Sequence, residues 1–530
     1  MRVEVRVDRG APRLWHLSLI EKLNKIPGVL AGVGWGAGAE PLPSCVSLLF
    51  LLERVINGLP AGGLAEAVSI GAFLPYVLEP ADKPDLVIDL CGPTEASAEV
   101  RWCVTFDGAC GDAAALAALL AGRAPVVAIV DAQTGVTLAS GRPGTETVDI
   151  ILTAFEDCLI RVITLIVAAT RGTAPSPPRA GAAGLPLRCG DVARFAVKML
   201  VRLVIRRLYQ LCTYAPHWRV GWRFVDGPDT FDLLAMPTEG WNILRDDGFR
   251  FYADPFPLAV GGRVVVFVEE FDHRLGRAAI AATEFDAHGP RSAPRTVLAT
   301  GSHLSYPFVF EHAGEVWMTP ESTAAHRIDL YRAVRFPDSW QLAATLVSGV
   351  EASDPTLVQH AGRWWMMATV RERYGSFSDA LYLWSASNLI GPWVPHRRNP
   401  VLVDIASARP AGRLVERGGR LLRPAQDCRG GYGRAVTLAE VTRLDDDTFE
   451  QNILVTLRAG PRWPGRRLHT LNRAGRLECI DGSAVAVKVK GELNHWAGLV
   501  TRRHGVPQHD AEPVVARAPG DVSELRQIES

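Results

Sequence analysis

"SYPFVFEHAGEVWMTPES", residues 305–322, decides the fold. Two other stretches share its frame: "ADPFPLAVGGRVVVFVEE" at 253–270 and "SDPTLVQHAGRWWMMATV" at 353–370. In each, a Pro is followed seven residues later by a Gly and then by an apolar, aromatic run. The pairs are Pro255–Gly262, Pro307–Gly314 and Pro355–Gly362, with Pro-to-Pro steps of 52 and 48 residues. A looser copy at 408–427 places Pro410 another 55 residues on, and "LHTLNRAGRLECIDG" at 468–482 repeats the pattern without the Pro. Strand-like runs such as "AAIAATEF", "IDLYRAVRF", "ALYLWSAS" and "AVTLAEVTRL" lie between the copies. A period near 50 residues with about four strands per unit belongs to a β-propeller. Four to five copies imply five blades. The Pro opens an inner strand where no ladder donor is needed, and the Gly makes the hairpin turn.

This frame selects candidate site residues. Asp254, Tyr306, Asp354 and Arg409 precede the four Pro and stand where the inner strands enter the channel. A second ring ends the second strands, eight, seven, seven and seven or eight residues after the turn Gly: Glu270, Glu321, Thr369, and Gln426 with Asp427. Ligands of propellers and barrels gather at such mouths. His303 and His469 are expected to face the channel, and Arg423 to lie near its mouth. Trp364 and Trp365 offer faces for stacking, although strand alternation sends at least one into the core.

The chain has 530 residues, 48% of them hydrophobic and 22% charged, and is too long for one core. Lys+Arg and Asp+Glu both number 57, a balance that argues against a nucleic-acid partner. The nine Cys are scattered without CxxC spacing or a His cluster, so they read as reduced thiols of a cytoplasmic protein, with no metal and no cofactor expected. No apolar run approaches the roughly 20 residues of a membrane span.

Composition divides the chain into four parts. Residues 1–171 alternate strand-like and helical segments ("RVEVRV", "SLLFLLERVINGL", "PDLVIDLCG", "DAAALAALLAG"), as an α/β layer domain does. Residues 172–240 hold a Pro/Gly/Ala-rich linker and a helix over 191–213. On that helix Arg194, Lys198, Arg202 and Arg206 form a basic stripe. Two readings of the helix stay open: peripheral contact with anionic lipid headgroups, or a bridge docked on a neighbouring domain. Residues 241–504 form the propeller, and 505–530 read as a soft tail. "GVGWGAG", 32–38, fits a strand-to-loop connection better than a dinucleotide fingerprint.

The Asp-Pro copies at 254 and 354 resemble the five-bladed propellers of the arabinanase, invertase and levansucrase superfamily. That resemblance implies a base or nucleophile at Asp254 and a stabilising Asp at Asp354. The fourth copy reads Ala408-Arg409-Pro410, without the carboxylate expected of the general acid. The ordered run "FYADPF", "HLSYPFVFEHAGEVWMTPES", "IDLYRAVRFPDSW", "NLIGPWVPHRRNPVL", "LLRPAQDC" resembles more closely the N-terminal domain of glucosamine inositolphosphorylceramide transferases, over roughly 240–485. In plants that domain precedes a separate glycosyltransferase domain; none is expected after residue 505 here. The resemblance implies a carbohydrate role, such as sugar transfer onto a glycolipid, with a saccharide, nucleotide sugar or glycolipid as substrate. Asp254 is then the expected base, Asp354 the positioning group and Glu321 the acid, with Arg409 and Arg423 holding an anionic group. A hydrolase with a relocated acid and a non-catalytic glycan-binding module are the alternatives.

Residues 1–170 resemble a formyltransferase-type domain through "PDLVIDLCG", "VRWCVTFDG" and "TGVTLASG". Where such enzymes carry Asn and His, this chain reads Thr105-Phe106-Asp107-Gly108, and the nearest His is His16. The expectation is a ligand-binding or supporting domain, with Asp107 as its candidate site residue.

Overall fold

The inner hairpins of the C-terminal half turn on the glycines that the repeat supplies. Gly314 and Gly362 have φ of 78° and 75°, and the residues before them, Ala313 and Ala361, are also left-handed at 53° and 49°. Two successive positive φ values make the tight turn whose twist matches the strands it joins. The structure is a computed structural model. It describes residues 1–488 except 37–41, 79–82, 92–99, 176, 179–182, 238–239, 373–374, 461–462 and 464. The tail expected at 505–530 lies outside the described residues, as do parts of the linker and of the 32–38 stretch.

The N-terminal domain is a mixed sheet layered with helices. Its strands are β1 (Arg2–Asp8), β2 (Leu30–Gly36), β3 (Leu86–Asp89), β4 (Arg101–Phe106), β5 (Ala109–Cys110), β6 (Val127–Asp131) and β7 (Thr137–Gly141), in the order β2-β1-β3-β4-β6-β7 with β5 on β4. The pairs β1–β2, β1–β3 and β3–β4 are parallel, whereas β6 runs antiparallel to both β4 and β7. The helices are α1 (Leu14–Leu23), α2 (Ser44–Asn57), α3 (Asp112–Leu120), α4 (Ile151–Arg171) and α5 (Cys189–Cys212). Helix α4 is apolar on most of its surface and fills the core with Phe155, Leu159, Ile163 and Ile166.

Five antiparallel sheets follow. Blade 1 is β10 (Arg250–Val260), β11 (Arg263–Asp272) and β12 (Arg277–Asp286), with β13 (Gly289–Pro290) and β14 (Arg295–Leu298) outside. Blade 2 is β15 (Ser305–His312), β16 (Glu315–Glu321), β17 (Arg327–Arg335) and β18 (Ser339–Ser348). Blade 3 is β19 (Glu351–His360), β20 (Arg363–Arg371) and β21 (Ala380–Ala386), edged by β22 (Val394–Pro395) and β23 (Leu402–Val403). Blade 4 is β24 (Val415–Arg417), β25 (Arg420–Asp427), β26 (Ala435–Leu444) and β27 (Phe449–Leu457). Blade 5 joins the last hairpin, β28 (Leu471–Ala474) and β29 (Leu477–Val487), to β8 (Thr213–Phe224) and β9 (Asn242–Ile243) from before blade 1.

The ring is therefore closed by distant chain. β8 pairs with β29 from Thr213↔Val487 to Phe224↔Leu477. The sequence pattern starts the propeller at 241, yet its fifth sheet reaches back to Thr213, across the segment expected to be linker and helix. A closing strand carries no repeat of its own, because it supplies an outer strand without a hairpin. A short helix, α6 (Thr230–Leu233), bridges β8 and β9 with Asp229 as N-cap.

A buried polar seam holds the α/β domain to blades 3 and 4. Arg161 on α4 is fully buried, with its guanidinium 2.8 Å from Asp379 and also donating to the carbonyls of Val370 and Ser376. Asp379 accepts the Gly144 N–H as well (3.0 Å). Arg142 pairs with Asp404 at 3.2 Å, Lys22 with Glu372, and the hydroxyls of Ser376 and Ser378 both donate to Glu146 at 2.8 Å. Removing one partner from such a seam leaves a buried charge uncompensated. Arg161→Met is expected to destabilise by roughly 3–5 kcal/mol, and adding Asp379→Leu should recover much of that loss. Urea denaturation of the parent and both variants checks this; an undiminished loss in the double variant would show that the ion pair is not the cause.

Candidate active site

The inner strands of blades 1 to 3 share a kink at the mouth of the channel. Pairing skips between Ala253 and Phe256, Ser305 and Phe308, and Ser353 and Thr356. The bulged residues are Asp254, Tyr306 and Asp354, with φ of 48°, 44° and 56°. A bulge re-aims a side chain, and a left-handed non-Gly residue persists only where its surroundings hold it. Here the hold is a chain of carboxylates. Asp481 of blade 5 accepts the Asp254 N–H (2.8 Å), Asp254 of blade 1 the Tyr306 N–H (3.3 Å), and Glu321 of blade 2 the Asp354 N–H (3.0 Å). In blade 4 the Gln426 N–H donates to the Arg409 carbonyl at 2.7 Å instead.

Two clusters meet at this mouth. In one, His469 Nδ1 lies 2.6 Å from Asp481 and its Nε2 3.6 Å from Asp254, which also accepts the Thr470 hydroxyl at 2.7 Å. The imidazole stacks on Trp218 (centroids 4.0 Å apart) and meets Tyr432 edge-on. Burial opposes its charge, but Asp481 and Asp254 outweigh burial and hold its pKa above the ordinary value. Burial, reinforced by Asp481, pushes the Asp254 carboxyl up, although His469 pulls against it. In the other cluster, Arg409 grips Asp354 with Nε–Oδ2 at 2.6 Å and Nη2–Oδ1 at 3.3 Å, and lies 3.6 Å from Glu321. Gln426 Nε2 donates to Asp354 at 2.9 Å, and the guanidinium sits 4.8 Å from the Tyr432 ring centre. Burial opposes the Arg409 charge, and Asp354 restores it.

Asp254, His469 and Asp481 each bring a ligand-type atom within 4.8 Å of the others. Asp481 Oδ1, however, already accepts the backbone N–H groups of His469 and Thr470 and faces the imidazole. His469 and Asp481 form a hydrogen-bonded pair with Asp254 3.6 Å beyond it, and this arrangement fits proton handling better than a cation.

The pairing moves one expected residue. Ser305 faces Glu321 and Ser353 faces Thr369, and the equivalent Ala253 faces Glu269, not Glu270. Glu270 points to the opposite face, 3.4 Å from Arg250 and 2.9 Å from the Thr296 hydroxyl. A one-residue step along a strand reverses the face. The signal was present: seven residues after Gly262, the interval used in blades 2 and 3, is Glu269. Burial, then Asp254, Glu321, Asp481 and Asp354, push the Glu269 carboxyl far above the usual range. His303 approaches Glu269 at 3.5 Å through Nε2 while its Nδ1 accepts the Ala278 N–H.

Other expected residues have structural partners. The Tyr306 hydroxyl bonds Thr356 (2.9 Å) and accepts the Gly412 N–H (2.7 Å), which ties blades 2, 3 and 4 together. Arg423 is fully buried and donates to the carbonyls of Ser407 and Ala408; burial lowers its pKa to about 10. It supports the segment that carries Arg409 and does not reach the mouth cluster. Asp427 is taken by Arg429 at 2.9 Å. Trp364 and Trp365 are both core residues, 6% and 3% exposed. In the α/β domain Asp107 accepts the Val126 N–H (2.8 Å) within a turn, and buried His16 accepts the Arg13 N–H, its pKa lowered to about 3 by burial. Sequence reasoning missed Glu269, Asp481, Trp218 and Tyr432. Asp481 and Trp218 lie on strands outside the Pro-to-Gly frame of the first copies.

Residues 243–487 match the family model described as glucosamine inositolphosphorylceramide transferase 1, N-terminal. The resemblance expected from the motifs is thereby borne out for the propeller. The chain is 33% identical over 267 residues to glucosamine inositolphosphorylceramide transferase 1 of Oryza sativa subsp. japonica, covering 47% of this chain and 35% of the relative. With the Arabidopsis thaliana protein of that name it shares 31% over 260 residues, 46% of this chain and 34% of the relative. The chain thus spans about a third of the length of the curated relatives it matches. Among solved structures, an exo-β-1,3-galactanase from Clostridium thermocellum gives a TM-score of 0.33 at 12% identity over 45% of this chain and 60% of that one. A β-xylosidase/α-arabinofuranosidase from a compost metagenome gives 0.34 at 12% over 45% and 92%. These scores are too low to carry chemistry across.

Because the Glu269 carboxyl is pushed up in the folded state relative to the unfolded chain, the folded state binds more protons above the ordinary Glu range of ~4.3. Stability should therefore fall as pH rises above that value. Glu269→Gln is expected to flatten this fall and to raise the melting temperature at pH 8 more than at pH 5. Thermal melts at the two pH values check it; parallel shifts at both would rule out the raised pKa of Glu269.

Proposed function

We propose that the propeller is a carbohydrate-active domain that binds a saccharide or inositol headgroup at the channel mouth and acts in sugar transfer or glycoconjugate assembly. The carrying observation is the gathering of five carboxyl groups, Asp254, Glu269, Glu321, Asp354 and Asp481, around Arg409 and His469. Carboxylates fixed by other bonds are good acceptors for sugar hydroxyls. Similarity of residues 243–487 to the transferase N-terminal domain supports the same reading.

The side chains divide the work by protonation. Asp254, backed by the His469–Asp481 relay, is placed to take a proton from a hydroxyl. Glu269, its carboxyl pushed far above the usual range by burial and the neighbouring acids, supplies the acid that the fourth blade lacks. Glu321, the acid expected from sequence, spends one oxygen on the Asp354 N–H and the other on the Thr323 hydroxyl, so its role is positioning. Asp354 is locked by Arg409 and Gln426 and shapes the pocket. The charge of Arg409 is already met by Asp354, so a neutral polyol suits this mouth better than a phosphate.

A hydrolase is the second reading, favoured by the raised pKa of Glu269 in the field of Asp254. The α/β domain, compared above with formyltransferases, is read as a support, since Asp107 and His16 are occupied in structure. Nine free thiols suit a reducing compartment, and a cytoplasmic location belongs to this proposal.

Calorimetry with glucosamine, myo-inositol and UDP-N-acetylglucosamine, together with an aryl-glycoside panel, separates the readings. Binding of a neutral sugar or inositol that Asp254→Asn weakens by roughly tenfold or more supports the proposal. Glycoside cleavage abolished by Glu269→Gln selects the hydrolase. Sugar binding indifferent to Asp254→Asn, without turnover, leaves a binding module. No binding and no turnover by a protein with normal melting overturns the assignment.

A further inference from the structure

Helix α5 has two apolar faces, and the protein covers one of them. Val192 and Met199 are buried, and Phe195 and Ala196 pack on the α/β core. The other face carries Val197, Val201, Val204, Leu208 and Leu211, exposed by 61%, 51%, 59%, 60% and 72%. At about 100° per residue, Arg194 and Lys198 border that face on one side and Arg207 on the other, while Arg202 and Arg206 turn towards the opposite side of the helix. Helix α2 packs alongside α5, where the Cys45 and Cys189 sulfurs are 2.6 Å apart. It adds Leu48, Leu51 and Val55, exposed by 67%, 58% and 75%.

We propose that α5 lies in the interface of an anionic lipid bilayer, its outer apolar face in the acyl boundary and its basic borders on the headgroups. The charges choose this occupant. The sole acid on α5 is Asp191, which pairs with Arg194 at 2.9 Å, and Arg202 pairs with Asp149 at 2.5 Å. Among the described residues, Lys198, Arg206 and Arg207 have no acidic partner. A second copy docked along this row would set Lys198 and Arg207 against like charges, whereas anionic headgroups neutralise them. No helix among the described residues is long and apolar enough to cross a membrane, so α5 lies on the bilayer rather than through it.

The register also places this helix. From its turn at Gly475, β29 passes Asp481, opposite Val220, and continues to Val487, opposite Thr213, where α5 ends. Asp481 is level with the mouth, so α5 joins the propeller on the mouth side. A helix anchored there keeps the candidate site on the side of the molecule that carries the lipid contact.

Sedimentation of the whole chain with vesicles tests the proposal. Binding is expected to phosphatidylcholine vesicles containing phosphatidylserine, with much less to phosphatidylcholine alone, and it should weaken as salt rises. Lys198→Glu with Arg207→Glu should weaken it by roughly tenfold or more, and Val204→Asp with Leu208→Asp should do likewise. All four positions are solvent-facing, and equal melting temperatures confirm that the variants fold. Asp254→Asn should leave vesicle binding intact, so failure at the mouth and failure at α5 are told apart. No binding to either vesicle, or binding indifferent to both pairs of changes, overturns the proposal. So does a dimer in ultracentrifugation that Val204→Asp dissociates while vesicles stay unbound.

Discussion

The propeller depends on carboxylates that reach from one blade to the backbone of the next. Asp481, Asp254 and Glu321 each accept the N–H of the following blade's bulged residue. Those residues, Asp254, Tyr306 and Asp354, are left-handed, a conformation that costs a non-Gly residue on the order of 1–2 kcal/mol. The bond that holds the bulge also aims the next carboxylate, so strain, ring closure and site geometry are one arrangement. Asp254 shows it best: its N–H is held by blade 5 while its own oxygens hold blade 2 and Thr470.

Packing acids this way sets the electrostatics. Arg409 answers Asp354, and His469 answers Asp481 and Asp254. Glu269 meets the half-exposed His303, whose own pKa is lowered by burial, and burial with the neighbouring acids pushes its carboxyl far above the usual range. Neither Arg409 nor Arg423 is left free for an anion. One is spent on Asp354 and the other on backbone carbonyls.

The α/β domain and the propeller share a buried seam in which Arg161 and Asp379 are both fully buried. Nothing local marks Arg161 as an interdomain residue. It sits in the apolar run "LIRVITLIVAAT", 159–170, as the one charge in an otherwise apolar stretch of helix. Its partner lies 218 residues away. Helix α5 shows the converse, since its basic stripe was legible in sequence. That the neighbouring apolar residues divide into a docked face and an exposed face followed only from packing.

By itself the sequence determined the architecture that repeats. The Pro-to-Gly interval and the apolar runs specified hairpins, their turns, and the entry positions of Asp254, Tyr306, Asp354 and Arg409. These features are local, and a period records local features. Tertiary structure alone decided what crosses between units. It drew Thr213–Phe224 in to close the ring and brought Asp481 and Trp218 to His469, and it settled between the seven- and eight-residue intervals after Gly262 in favour of Glu269 over its neighbour Glu270. The last choice rests on strand pairing, because side chains alternate faces and adjacent glutamates with the same composition meet opposite surroundings.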